Sequence, residues 1–560
     1  MNKNKAKRSP LPGLKSLLNY RRAWLRRDLL AGVTVAAYLI PQCMAYGELA
    51  GVQPIAGLWA ILPPMLLYAL LGSSPQLSVG PESTTAVMTA AAIAPLMVSD
   101  ADYPAMAALL AIAVGGVCLV GYVARLGFLA DLLSKPILIG YMAGVAVIMI
   151  TGQIGKLSGI DVKAERPFSA IGEFLSKLDQ IHPPTLMLGG LVLFFLFTVQ
   201  RFLPKAPGPL LAVLLATVLV TLLELDQKGV AVVGNIPAGL PPIALPAVPP
   251  TTSVQSLLAA AVGIAIVGYS DNVLTARSFA ARNHYSISPN QELLALAAAN
   301  FGNGFVQGFP VSSSGSRTVI GDSLGSKTQL FSLVALGVVV VVLLFLRPVL
   351  ALFPKAALGA IVIYAAIKLI EMSEFIKLYR FRKTELALAL ITLLGVLLTD
   401  ILSGVAVAVS LSVIDLFARI ARPHDAVLGT VPNVDGLHDI EDWEGATTIP
   451  GLVIYRYDAP LCFANVQNFK HRALEAIAAE TEPVEWFVLN TEAIVQVDST
   501  AIDALDAFRD ELASQGITFA MTRVKQELYQ QLKRSGLLYK IGADHVYPTL
   551  HTAIAGFKDR

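Results

Sequence analysis

The chain of 560 residues is 55% hydrophobic and only 15% charged, with a mean hydropathy of +0.64, whereas ordinary soluble domains carry about 25% charged residues. This composition excludes a soluble enzyme and points to a protein embedded in lipid. Lys+Arg of 42 against Asp+Glu of 40 leave a formal charge of +2, which gives no support to a nucleic-acid partner. Cys43, Cys118 and Cys462 are scattered, and the 7 histidines lack ligand spacing. A disulfide framework, a structural metal and a metal enzyme are therefore not expected, and no cofactor is implied.

The basic stretch 1–28, with Lys3, Lys5, Lys7, Arg8, Lys15, Arg21, Arg22, Arg26 and Arg27, lacks the compact apolar region and small-residue cleavage site of a signal peptide, and it reads as a cytosolic anchor. Crossing a hydrocarbon core of ~30 Å takes about twenty apolar residues in helix. Such runs occur at 104–124, 136–154, 185–202, 209–225, 329–346 and 385–420, the last long enough for two. Between them lie apolar stretches broken by Pro and Gly at 29–47 (around Ile40-Pro41-Gln42), 53–71, 81–98, 255–275, 291–305, 315–324 and 355–370. Together they predict about fourteen helical segments spanning 29–422, some short or broken.

Positive loops stay inside, which puts the N-terminus in the cytosol. Fourteen crossings place Arg277 with Arg282, Lys377 with Arg380, Arg382 and Lys383, and Arg419 with Arg422 on that same side, while the opposite loop 226–254 holds only Lys228. The composition changes at Pro423. A polar linker is expected over 423–444, followed by a cytosolic α/β domain over 445–560. Strands are expected at 452–456, 486–491 and 517–522, helices at 466–480, 500–514 and 524–534, and the sheet parallel or mixed.

Two segments are entered through Gly/Pro/Ser-rich stretches: Ser78-Val79-Gly80-Pro81-Glu82-Ser83-Thr84-Thr85, which opens the third span, and 308–318, which contains Ser313, Ser314, Gly315, Ser316 and Arg317 and opens the tenth. Paired interrupted segments seven spans apart point to a transporter's midplane site. Half-helix N-termini aimed at one spot present free N–H groups and positive dipole ends to an anion, with Arg317 adding a full charge. The competing reading is that these small residues only let helices pack closely. Asp271 and Thr275, at i and i+4, share a helix face and suit a proton or Na⁺, unless Asp271 lies near the interface and pairs with Arg277 or Arg282. Glu82 caps a helix N-terminus favourably, yet it repels an anion unless protonated or paired with Arg317, a tension that points to proton coupling. Gly302-Asn303-Gly304 lacks the strand and spacing of a dinucleotide loop and reads as a helix connection. Asp400 and Asp415, in the last long apolar run, read at least as well as pairs near an interface or at a helix contact as they do as transport residues, and they are left outside the site.

Asp28-Leu29-Leu30-Ala31-Gly32-Val33-Thr34-Val35-Ala36, followed by Ile40-Pro41-Gln42-Cys43-Met44-Ala45-Tyr46 and Ala50-Gly51-Val52-Gln53-Pro54, closely resembles the sulfate permease (SulP) family of anion transporters. The resemblance continues through Gly80-Pro81-Glu82, Asn300-Phe301-Gly302, Ser316-Arg317 and Lys327-Thr328-Gln329, and the tail resembles a STAS domain with Asp498-Ser499-Thr500 at its signature loop. It implies a 7+7 inverted repeat of core and gate domains, a homodimer, and Gln42, Tyr46, Glu82, Ser83 and the 313–316 stretch lining the anion cavity. Asp271 falls where the family keeps an acid, and Thr275 resembles the sodium-ligating hydroxyl of bicarbonate-transporting members. The triple Ser312-Ser313-Ser314 and the acidic Glu82 depart from that branch. In stand-alone relatives of the tail a hydroxyl of the signature loop is phosphorylated, which marks Ser499 or Thr500, and a cytosolic protein partner would dock there. The other reading is a simple helix cap.

The expectation is thus a multi-pass cell-membrane protein with both termini cytosolic, moving sulfate or a C4-dicarboxylate by alternating access, with H⁺ ahead of Na⁺ as the coupling ion; an uncoupled channel would have no need of a buried acid such as Asp271. Sodium-coupled bicarbonate transport, or an exchanger or channel on the same scaffold, are the alternatives. A membrane-tethered binding protein would need one helix and leaves the paired breaks unexplained.

Overall fold

The computed structural model describes residues 11–559 except 97–101, 129–133, 163–165, 205, 235, 238, 250–252 and 400. Lys3, Lys5, Lys7, Arg8 and Asp400 lie outside the described residues. The chain divides into two compact units, Met1–Ser412 and Val413–Arg560.

In the first unit, 7 helices among the described residues are long and apolar enough to cross a membrane: Arg22–Leu49, Pro54–Leu71, Tyr103–Val123, Lys135–Ser158, Pro183–Phe202, Val254–Arg282 and Lys355–Phe381. Ser83–Ile93, Gly208–Leu222 and Leu330–Phe345 are shorter apolar helices. With Pro289–Phe305, Gly315–Ser323, Lys383–Leu398 and Ile401–Ala421, they occupy the segments expected from hydropathy. Proline recurs in the first turn, as at Pro54, Pro136, Pro184 and Pro289, where a missing N–H costs nothing. The first long helix, expected to break around Pro41, instead runs through it, because neighbouring helices compensate one lost backbone bond in a bundle. Gly302-Asn303-Gly304 is likewise not a connection but the last turn of the Pro289–Phe305 helix.

Two groups of helices pack among themselves. Leu25–Leu49, Leu62–Leu71, Tyr103–Val123, Pro289–Phe305 and Leu330–Phe345 form one, and Lys135–Ser158, Pro183–Phe202, Lys355–Leu369 and Lys383–Leu398 the other. Small residues set their spacing: a Cβ on Gly304 would fall 2.2 Å from Ile112, and one on Gly140 would fall 2.0 Å from the Ala389 carbonyl oxygen. The stretch 1–28, expected as a separate basic segment, contains the helix Pro12–Leu18. A Cβ on Gly13 would sit 2.3 Å from the Ala69 carbonyl oxygen, so this helix lies directly on Leu62–Leu71.

Two short strands, β1 (Val79–Gly80) and β2 (Ser312–Ser313), pair antiparallel in this helical unit, Val79 opposite Ser313 and Gly80 opposite Ser312. The second unit holds β3 (Asp425–Val431), β4 (Val434–Asp439), β5 (Leu452–Tyr457), β6 (Trp486–Asn490), β7 (Thr518–Thr522) and β8 (Val546–Tyr547) in the order β4-β3-β5-β6-β7-β8. From β5 to β8 the sheet is parallel, and β3 joins it antiparallel. Helices Val466–Ala478 and Ser499–Ser514 cover one face, bringing their own Phe469 and Phe508 to Phe487 of β6 and Phe519 of β7 in a cluster of rings that meet edge-on or stacked. The segment 423–444, expected as a linker, is corrected by the structure. It forms the β3–β4 hairpin, and its buried Ala426 and Leu428 belong to the core of the opposite face.

Candidate functional site

The β1–β2 pair is where the two interrupted segments meet. Antiparallel pairing sends the chains out of the crossing in opposite directions, so the Ser83–Ile93 and Gly315–Ser323 helices start on either side of one spot. The crossing is extended by Ser314 N–H donating to the Ser78 carbonyl (2.9 Å) and Ser78 N–H donating to Thr318 Oγ1 (3.0 Å). Asn300 clamps the approach to β2, its Oδ1 accepting from Val311 N–H (2.9 Å) and its Nδ2 donating to the Val311 carbonyl (3.1 Å).

Each helix start carries its own cap. Glu82 accepts from Thr84 N–H (2.7 Å) and from the Ser83 hydroxyl, and Ser314 accepts from Arg317 N–H (3.5 Å), so polar side chains hold the first-turn donors in place. Gly315 and Ser316 are exposed, and a Cβ on Gly315 would meet nothing within 4 Å. The first turn of this helix therefore faces open space.

Arg317 is 0% exposed. Its Nη1 donates to the Pro81 carbonyl (2.7 Å) and to Gln42 Oε1 (3.5 Å), and its Nε to Ser78 Oγ (3.3 Å). Its Nη2 is buried without a partner. Gln42 in turn donates to the Tyr46 hydroxyl (2.9 Å), bringing the first long helix to the crossing. Asp271 accepts from Ser313 Oγ at 3.0 Å, which ties the Val254–Arg282 helix to β2. A Cβ on Gly268 of that helix would lie 3.3 Å from Ser312 Cβ.

Gln42, Tyr46, Glu82, Ser83, Asp271, Ser313, Ser314, Gly315, Ser316 and Arg317 thus surround one crossing. Asp271 faces the break, and Arg282 pairs with Asp322 (3.2 Å) instead. Thr275 lies one turn along from Asp271 but shares no hydrogen bond with it among the described residues. Glu82 forms no ion pair with Arg317 there either, because the guanidinium spends its bonds on neutral acceptors. Among the described residues no group of three or more His, Cys, Asp or Glu could hold a metal. In the tail, Asp498 caps Ser499–Ser514, accepting from Ala501 N–H (2.8 Å) and, through its other oxygen, from Phe463 N–H (2.7 Å). Ser499 and Thr500 are exposed in the first turn. Asp415 pairs with Arg419 (3.0 Å).

Two buried acids escaped the sequence reading as structural elements. Glu292, 0% exposed, accepts from Tyr68 Oη (2.8 Å), Asn272 Nδ2 (2.8 Å), Ser73 N–H (2.9 Å) and Ser73 Oγ (2.6 Å). Asp28 accepts from Lys327 N–H (2.7 Å) and Thr328 Oγ1 (2.8 Å). Glu292 was visible as an ionisable residue in an apolar stretch. Its partners were not, since Tyr68 and Ser73 lie more than two hundred positions away in sequence.

Residues 25–392 match the sulfate permease family and residues 445–553 match the STAS domain. The chain is 52% identical to a probable sulfate transporter of Mycobacterium tuberculosis (strain ATCC 25618 / H37Rv), over 98% of each chain. It is 29% identical to the chloroplastic sulfate transporter 4.1 of Arabidopsis thaliana, covering 95% of this chain and 80% of that one. Its fold is that of the murine Solute Carrier 26 family member A9 anion transporter, with a TM-score of 0.89 at 22% identity over 100% of this chain and 97% of that one. The transmembrane domain of the cyanobacterial bicarbonate transporter BicA aligns at 23% identity with a TM-score of 0.61, covering 69% of this chain and 98% of that one.

Proposed function

The chain belongs to the sulfate permease family, and from that premise we propose that it is a secondary active transporter of a small oxyanion, sulfate first, working by alternating access at the cell membrane with both termini cytosolic. The observation that carries the reading is Arg317, a fully buried cation held by neutral acceptors with one nitrogen free at the start of two helices. Burying such a charge costs several kcal/mol, and a bound anion offsets that cost. The helix group bearing Arg317's partners would be the moving core, and the group around Lys135–Ser158 the gate.

Uptake of an anion into a negative-inside cell works against ~2.3 kcal/mol per charge per 100 mV, so a coupled cation is required unless another anion leaves. Asp271, hydrogen-bonded to β2 through Ser313, is the acid that would sense occupancy. A proton suits it better than Na⁺, because the Glu82 carboxylate opens a helix at the same crossing, and carboxylates beside a bound anion favour a protonated state. The tail would serve regulation, with Ser499 and Thr500 as accessible hydroxyls, a cytosolic protein as partner and a homodimer as the working assembly.

The test is labelled-sulfate uptake into proteoliposomes with an imposed proton gradient, a sodium gradient, or neither. The proton gradient alone should drive accumulation, and Asp271→Asn should lose that dependence while keeping sulfate-for-sulfate exchange. Undiminished gradient-driven uptake by Asp271→Asn would remove the coupling role. Absence of any sulfate flux in the wild type would remove the transport reading itself.

A further inference from the structure

The C-terminal turn of the first long helix meets a second charged locus at Glu48, two residues past Tyr46 and on another face of the helix. Glu48 Oε2 lies 3.2 Å from Lys156 Nζ, an ion pair joining the two helix groups. A cleft of about 470 Å³ opens beside it, lined by Glu48, Gln53, Lys156, Val233, Ile236 and Lys355 among others. At roughly 30 Å³ per water, that volume takes an oxyanion with part of its hydration shell.

The two lysines share this cleft for a structural reason. Lys156 packs its Cβ 3.4 Å from the position a Cβ would take on Gly359, and Lys355 lies one helical turn before Gly359 on the same face. Lys355 also opens a helix of 15 residues with no side-chain cap, so the positive dipole end adds to its charge. The opposite wall is fixed by backbone bonds: Lys355 N–H to the Ala231 carbonyl, Val233 N–H to the Phe353 carbonyl and Gly234 N–H to the Ala351 carbonyl, each 2.9 Å. Two cations thus face one carboxylate, and among the described residues Lys355 has no ion-pair partner.

We propose that this cleft is a reception site for a multiply charged oxyanion, which binds Lys355 and displaces Glu48 from Lys156. Sulfate as the anion rests on the transport reading; the existence of the site does not. Because Glu48 competes for Lys156, the site is weak when the ion pair is closed. An anion that wins the competition uncouples the first long helix from the Lys135–Ser158 helix.

The test uses the full chain in nanodiscs, where both faces are reached, with Cys462→Ser to silence the partly exposed thiol and Gln53→Cys as reporter. A sulfonate-bearing thiol reagent should label Gln53→Cys several-fold faster than a trimethylammonium one, and millimolar sulfate should slow it. Lys355→Gln should abolish both the preference and the protection, Lys355→Arg should keep them, and Glu48→Gln should lower the sulfate needed for half-protection several-fold. Sulfate without effect, protection undiminished in Lys355→Gln, or no gain in Glu48→Gln would overturn the proposal. Labelling needs no flux, so a protein that binds sulfate here but does not move it would sink the transport reading alone.

Discussion

Replacing Arg317 with Ala removes a charge whose free nitrogen has no protein partner. At an ordinary contact of ~4 Å and an effective dielectric constant of about 20, one unit charge attracts the two of sulfate by about 8 kcal/mol. Most of this is offset because water filling the space left by the side chain solvates the anion, leaving about 3 kcal/mol, or roughly a hundredfold in Kd for sulfate. Arg317→Lys keeps the charge but gives up the fork that reaches Ser78 and Pro81, and a loss of about tenfold is expected. Arg347→Ala, at the start of the short Arg347–Ala351 helix, is the reference. The assay is equilibrium binding of labelled sulfate to purified protein, with thermal stability followed in parallel, because Arg317 also holds the Pro81 carbonyl. Equal affinities for Arg317→Ala and Arg347→Ala in folded protein would refute the electrostatic argument.

Gly57→Ala would put a Cβ 1.8 Å from the Cys43 carbonyl oxygen, and a loss of at least about 1–3 kcal/mol is expected in thermal unfolding, whereas Gly152→Ala, with nothing within 4 Å, should be neutral or slightly stabilising. Asp498→Ala releases two backbone N–H groups and should cost the tail about 1–2 kcal/mol, while Ser499→Ala should stay within about 0.5 kcal/mol. Lys540, with Arg509, holds the Asp506 carboxyl below its usual range. The stabilisation is therefore present above the unfolded value of about 3.9 and lost as pH falls through the lower folded one, so Asp506→Asn should flatten the acid dependence of the tail's melting temperature below about pH 4.

The paired breaks were legible because Pro, Gly and Ser punctuate otherwise apolar runs, and hydropathy alone located the spans. Their joining by β1 and β2 was not legible, since a two-residue strand has no period to detect. The linker expectation at 423–444 failed on polarity: β3 buries Ala426, Leu428, Gly429 and Val431, but β4 exposes Asp435 and Gly436 and only half-buries His438. The turn at Asn433, with φ of 62°, was the available hint of a hairpin. Asp28 and the Lys327-Thr328 pair were each read as parts of separate signatures; only the fold reveals that one side chain bridges them.

A guanidinium has five N–H groups on three nitrogens, and at Arg317 the protein occupies Nε and Nη1. A carboxylate gripped by arginine takes two parallel bonds from adjacent nitrogens, a denticity no longer on offer. The two remaining bonds diverge from a single nitrogen. They suit separate acceptors, such as one oxygen of a tetrahedral anion and a water bridging to the next. Discrimination between sulfate and a dicarboxylate would then arise from what Ser78 and Pro81 withhold from the ligand rather than from what the pocket adds.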